Sequence, residues 1–174
     1  MTTEQYNGLT IRLLPDTDCP SPLENDEGVF ITYRAGARTC IGNTPLGQAD
    51  HDAIGWRIAS EDLIGLPVFC YQHGGIALNT TGFSCQWDSG QSGYIYITKK
   101  TALDWQGGKI VTAARRAQCL KNLAGIVAEY STWLNGDCWG YLISNAKGHG
   151  IDSCWGLIGE EYALSEARAA AAGA

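Results

Sequence analysis

The sequence predicts an α+β fold: a mainly antiparallel β-sheet with one long helix at about 113–134 and a C-terminal helix packed on one face. Three observations carry this. Short β-branched and aromatic runs recur between clusters of turn formers. One stretch steps its apolar residues by 3, 4, 3 and 4 through Leu120, Leu123, Val127, Tyr130 and Leu134, a single helical stripe. The tail, Glu160 to Ala170, is rich in Ala and Glu, strong helix formers.

Taken in order, Leu9 to Leu14 reads as a short strand. Residues 15–28 hold three prolines among turn formers and read as loop. Val29 to Arg34 (VFITYR) is a strand. Residues 35–50 have no clear period and read as a long exposed loop of a kind that is often functional. Ser60 with Glu61 and Asp62 resembles a helix start that Gly65 and Pro67 stop within about one turn. Leu66 to Tyr71 is a buried strand, His73-Gly74-Gly75 a turn, and Ile76 to Asn79 the return of a hairpin. Residues 80–92 form a polar loop. In Gly93 to Thr98, Tyr94 and Tyr96 share one face and Ile95 and Ile97 the other. Thr112 is placed to cap the long helix, Asn135-Gly136 to end it, and Arg115, Arg116 and Lys121 fall mostly off its stripe and should be exposed. Cys138 to Ser144 and Ile151 to Ile158 pair around 145–150 as a second hairpin. The last residues (AAAAGA) should fray. The length suits one domain, 1–174, with a loop-rich part at 1–65 and a core at 66–170.

An apolar share of 45% is enough for a real core, and the net charge of −6 excludes a basic nucleic-acid binder by bulk charge. No run approaches the roughly eighteen apolar residues of a spanning helix. The polar start lacks the basic and apolar regions of a secretory leader. That start and the odd count of seven cysteines, none in a CxxC pair, point to reduced thiols and a cytoplasmic location. Most of the cysteines are expected to be small buried hydrophobes. No metal or cofactor is expected.

Charge is segmented along the chain. Residues 1–28 carry a net −5, residues 99–125 a net +5 and residues 126–174 a net −4. Solvated faces account for such a pattern; so does an acidic loop (Asp16, Asp18, Asp26, Glu27) or a basic patch (Lys99, Lys100, Arg115, Arg116) that meets an oppositely charged partner.

One constellation suits nucleophilic chemistry. Cys85 and Asp88 share the polar loop and His73 occupies a turn one strand earlier. A Cys–His pair would activate a thiolate and a carboxylate would orient the imidazole. Against it, Asp88-Ser89-Gly90 is ordinary turn chemistry and Cys85 could be buried. Asp152-Ser153-Cys154 is a weaker pair of the same kind. GxSxG, HExxH, Walker, GxGxxG and EF-hand patterns are absent from the sequence. Cys85-x-Trp87, Cys138-Trp139 and Cys154-Trp155 are too short for repeats and read as one aromatic core cluster, with a Trp-lined ligand surface as the alternative. Gly140 and Gly156 would let neighbouring indoles lie flat against a strand.

The segments Phe83–Tyr96 (FSCQWDSGQSGYIY) and Ile151–Gly159 (IDSCWGLIG), with Tyr71–Ile76 upstream, resemble a family of small uncharacterised proteins of bacteriophage, prophage and archaeal-virus genomes. The likeness covers about 66–170 and extends weakly to Asn25–Arg34. Gln86 stands where the family more often has proline. The resemblance implies a viral accessory protein and no particular chemistry. The expected function is stoichiometric binding that inhibits a host defence complex, of anti-CRISPR or anti-restriction type, in the host cytoplasm. The partner would be a host protein or nucleoprotein, without membrane association or direct nucleic-acid binding. The alternatives are a cysteine-dependent hydrolase or transferase using Cys85, His73 and Asp88, and a non-catalytic structural or replication protein acting through homo-oligomer contacts.

Overall fold

A computed structural model describes residues 2–24, 28–35, 41–85 and 87–173. Among them the chain forms nine strands and four helices: β1 (Thr2–Tyr6), β2 (Leu9–Pro15), β3 (Phe30–Arg34), β4 (Thr44–Leu46), α1 (Gln48–Ala59), β5 (Ile64–Gln72), β6 (Ile76–Asn79), β7 (Ser89–Ile97), α2 (Lys99–Gln106), α3 (Ala113–Leu134), β8 (Cys138–Ser144), β9 (Gly150–Ile158) and α4 (Glu160–Ala172). The class is α+β, but the strands make two sheets rather than one. Their orders are β1-β2-β8-β9 and β4-β3-β7-β5-β6, and every pair is antiparallel except β3–β4. The chain divides into two compact units, Met1–Ser21 with Thr132–Ala174, and Pro22–Ser131. The second is thus an insertion into the first. No helix among the described residues is long and apolar enough to cross a membrane.

The first unit is a four-stranded sheet under one helix. β2 and β8 pair with Ile11 opposite Ile143 and Leu13 opposite Tyr141, so these four share a face. Ala163, Ala167 and Ala171 of α4 repeat every fourth residue and pack against them. Their small side chains let the helix approach the sheet closely. Glu160 and Glu161 in the first turn suit the positive end of the helix dipole. Arg168 ties α4 to β1 by donating to both carboxylate oxygens of Glu4, at 3.0 and 2.7 Å. Ala171 is buried, so the helix continues past the expected fraying point. On the opposite face, Trp155 lies against Gly140, where a Cβ would meet its ring at 2.2 Å. The expected flat indole is therefore found at Gly140.

The second unit has β7 at the centre of its sheet. Ile95 faces Ile31 on one side and Leu66 on the other, and Ile97 faces Ile64. Ile31, Ile64, Ile95 and Ile97 are essentially inaccessible. The other face carries Tyr94 and Tyr96; Tyr96 stacks on Phe30 at 5.1 Å, and Tyr94 packs against His51 of α1 at 4.8 Å with the rings tilted by 42°. α3 buries Cys119, Leu123, Val127 and Tyr130; of the expected stripe the two end residues, Leu120 and Leu134, are only half-buried. It is tied to its unit where Ser131 Oγ accepts from Leu78 N and Tyr130 Oη from Gly42 N.

Several local expectations fail. Within 35–50, expected as loop, 44–46 form β4 and 48–50 begin α1, and Ser60 caps the C-terminus of α1 instead of starting a helix. α2 forms in the basic stretch, started by Thr98 Oγ1 accepting from Thr101 N at 3.1 Å. β1 precedes the first expected strand. Arg115 and Arg116 are half-buried, not exposed.

Candidate functional site

The β5–β6 hairpin and the start of β7 meet at one end of the second unit's sheet. Tyr71 pairs with Ser89, and Gln72 N donates to Asp88 O at 3.0 Å, which sets Asp88 beside the His73 turn. The loop between β6 and β7 is fastened at both ends. Asn79 Oδ1 accepts from Thr81 N and Gly82 N, and its Nδ2 donates to Gly82 O. At the far end Ser89 Oγ donates to Cys85 O. Tyr71 packs between Phe83 and His73, with ring centroids at 5.6 and 6.3 Å.

His73, Cys85 and Asp88 do come together. His73 Nδ1 lies 3.5 Å from Asp88 Oδ2, and Cys85 Sγ donates to the same oxygen at 3.8 Å. The carboxylate sits between thiol and imidazole. That order differs from an activated Cys–His pair, because the imidazole addresses the carboxylate and not the sulfur. The His73 ring is 74% exposed, so its pairing with Asp88 is weak. Among the described residues, no group of three His, Cys, Asp or Glu side chains is placed to hold a metal ion.

The charged candidates are largely engaged internally. Asp16 Oδ1 accepts from Asp18 N, and Oδ2 accepts from Gly156 N at 2.9 Å, fixing the β2 exit to β9. Asp18 is exposed. Asp26 and Glu27 lie outside the described residues. Lys100 pairs with Asp104 at 2.7 Å one turn along α2. Arg115 Nη1 donates to Ile110 O, and Arg116 Nη2 donates to Leu63 O with Glu61 3.9 Å away. Lys99 is exposed, on a cleft of about 410 Å³ shared with Arg116, Glu61 and Thr112.

The tryptophans depart most from expectation. Trp87 is 96% exposed and Trp155 49%, so neither is the core residue that a shared aromatic cluster requires. Trp139 is half-buried and donates its Nε1–H to Asp137. Trp87 stands on the fastened loop next to Asp88. Sequence reasoning assigned it to the core because tryptophan usually buries; the signal against that was its setting in a run of polar turn formers. Two of the six described cysteines, Cys119 and Cys138, are buried; Cys19, Cys70 and Cys85 are half-buried and Cys154 is exposed. All six are reduced thiols, and Cys40 lies outside the described residues.

Comparison with protein-family models, with curated proteins and with solved structures finds no match.

Proposed function

We propose that the protein acts by stoichiometric binding to a host protein or nucleoprotein complex and inhibits a host defence, with the loop around Trp87 as its principal contact. The observation that carries this reading is a tryptophan held almost wholly in solvent on a loop tied down at both ends. Large aromatics on ordered supports are the side chains that dominate binding energy when they enter a partner's pocket, and little ordering entropy is lost when the loop is already fixed. Charge has a smaller part than the sequence suggests, because Asp16, Lys100, Arg115 and Arg116 already have partners within the chain. That the partner belongs to a defence system rests on the resemblance to virus-encoded accessory proteins alone.

The test is co-purification of the full chain from host cells, with the stoichiometry measured on the isolated complex. Trp87→Ala should lose the partner while melting normally, and Cys85→Ala should keep it. Retention of the partner by Trp87→Ala would refute this contact.

A cysteine-dependent enzyme is the second reading, favoured by the convergence of His73 and Cys85 on one Asp88 oxygen. It requires Cys85→Ala to abolish the phenotype in a folded protein at less than one protein per target.

A further inference from the structure

Cys19 and Cys138 are distant in sequence, with the whole inserted unit between them, yet they share one site in the first unit. Both line a cleft of about 290 Å³ with Pro15, Asp16, Thr17 and Trp133. The two side chains are neighbours in that cleft, and the Cys19 thiol helps keep Cys138 protonated; the Cys19 S–H itself is aimed at Pro20 O at 3.7 Å. The backbone around each is fixed. Asp16 N donates to Cys138 O at 2.8 Å, and Trp133 Nε1 donates to Cys19 O at 3.1 Å. Neither thiol takes part in the Trp87 loop or the His73–Cys85–Asp88 cluster.

We propose that Cys19 and Cys138 form a reversible disulfide, a redox lock that closes the first unit at the two points where the inserted unit leaves and re-enters the chain. Cys19 is the entering thiol, being the more accessible of the two, and Cys138, buried, is the resolving thiol. Burial, then the Cys19 thiol and the nearby carboxylates of Asp16 and Asp137, hold the Cys138 thiol well above the ordinary range, so it keeps its proton until its partner is modified.

The oxidant is a low-molecular-weight disulfide, RSSR. The Cys19 thiolate attacks one sulfur, forming a mixed disulfide and releasing RS⁻. Cys138 then loses its proton and attacks the Cys19 sulfur, forming the Cys19–Cys138 bond and releasing the second RS⁻. Two thiols are oxidised, one disulfide is reduced, and the two protons leave on two RSH. The new bond closes a very long loop, the case in which restricting the unfolded chain counts most.

The experiment equilibrates the full-length protein in glutathione buffers of increasing oxidised fraction, quenches with an alkylating agent under denaturant, and maps peptides by mass spectrometry. The expected result is a Cys19–Cys138 linked peptide pair, with a protein mass lower by two hydrogens and a melting temperature several degrees above the reduced form. Cys138→Ala should trap glutathione on Cys19, whereas Cys19→Ala should leave native Cys138 unmodified. Exposed Cys154 serves as the internal control. If Cys154 takes up glutathione while Cys19 and Cys138 both remain alkylatable, the proposal is overturned. A linked pair whose formation leaves the melting temperature unchanged overturns the locking role.

Discussion

Asp16 sits in an acidic, proline-rich stretch that reads as solvent-facing loop, yet both its carboxylate oxygens accept backbone N–H groups. His51 makes the opposite departure. It is 2% exposed; Nδ1 lies 3.9 Å from Asp52 Oδ1, beyond hydrogen-bond distance, and Nε2 has no hydrogen-bond partner. Its pKa is held below the ordinary 6.5, first by burial and then by the charge of Arg34, with Asp52 opposing in part. A depressed folded-state pKa means the unfolded chain binds the proton more readily. The contribution of neutral His51 to stability is therefore complete above about pH 6.5 and lost progressively as pH falls below it. Carboxylates such as Glu4, lowered by its Arg168 pair, act in a separate and more acidic window. His51→Phe should remove the first acid loss and be at least as stable at pH 7, since a buried polar atom without a hydrogen bond costs roughly 1–3 kcal/mol. Urea melts of both proteins across pH 5–8 check this, and a variant with an unchanged acid loss would show that another group titrates.

Among the elements, α3 was the most legible, because a 3-4-3-4 stripe from Leu120 to Leu134 has no competing reading. Val127→Asp puts a carboxylate at a fully buried stripe position. The expected loss is several kcal/mol, seen as failure to melt cooperatively. α1 was not legible: Gly47 gives it no side-chain cap, Gly55 interrupts it, Trp56 points to solvent, and its buried face is only His51 and Ile54. α2 buries Ala102 alone, too little for a stripe. β1 (TTEQY) is a polar edge strand and looks like a terminal tail until β2 is there to pair with it. At the centre of the second sheet, a Cβ on Gly93 would fall 1.8 Å from Thr32 O and 2.7 Å from Thr32 C. Gly93→Ala should therefore part β3 from β7 and cost about 3 kcal/mol or more, beyond ordinary overpacking. A melting temperature within a degree or two of the parent would contradict that packing.

For the whole molecule, what the sequence could not convey was pairing at long range. Each hairpin was readable from its own turn, but β2 joins β8 across more than a hundred residues, and only that pairing separates the two sheets. The same limit hid the Cys19–Cys138 pair. Cys85, His73 and Asp88 were recoverable because a hairpin and its exit loop bring them together locally; their order around Asp88 was not, since it depends on side-chain direction. The proposed function makes this a binding protein whose contact is centred on Trp87. Titration of the isolated partner with the parent chain and with Trp87→Ala, in a calorimeter, tests it most directly. The predicted result is saturation at a fixed whole-number ratio for the parent and an affinity weakened at least about thirtyfold for the variant, the size of a hot spot worth about 2 kcal/mol. Equal affinity of the two proteins, or complete inactivation of the partner well below one equivalent, would contradict it.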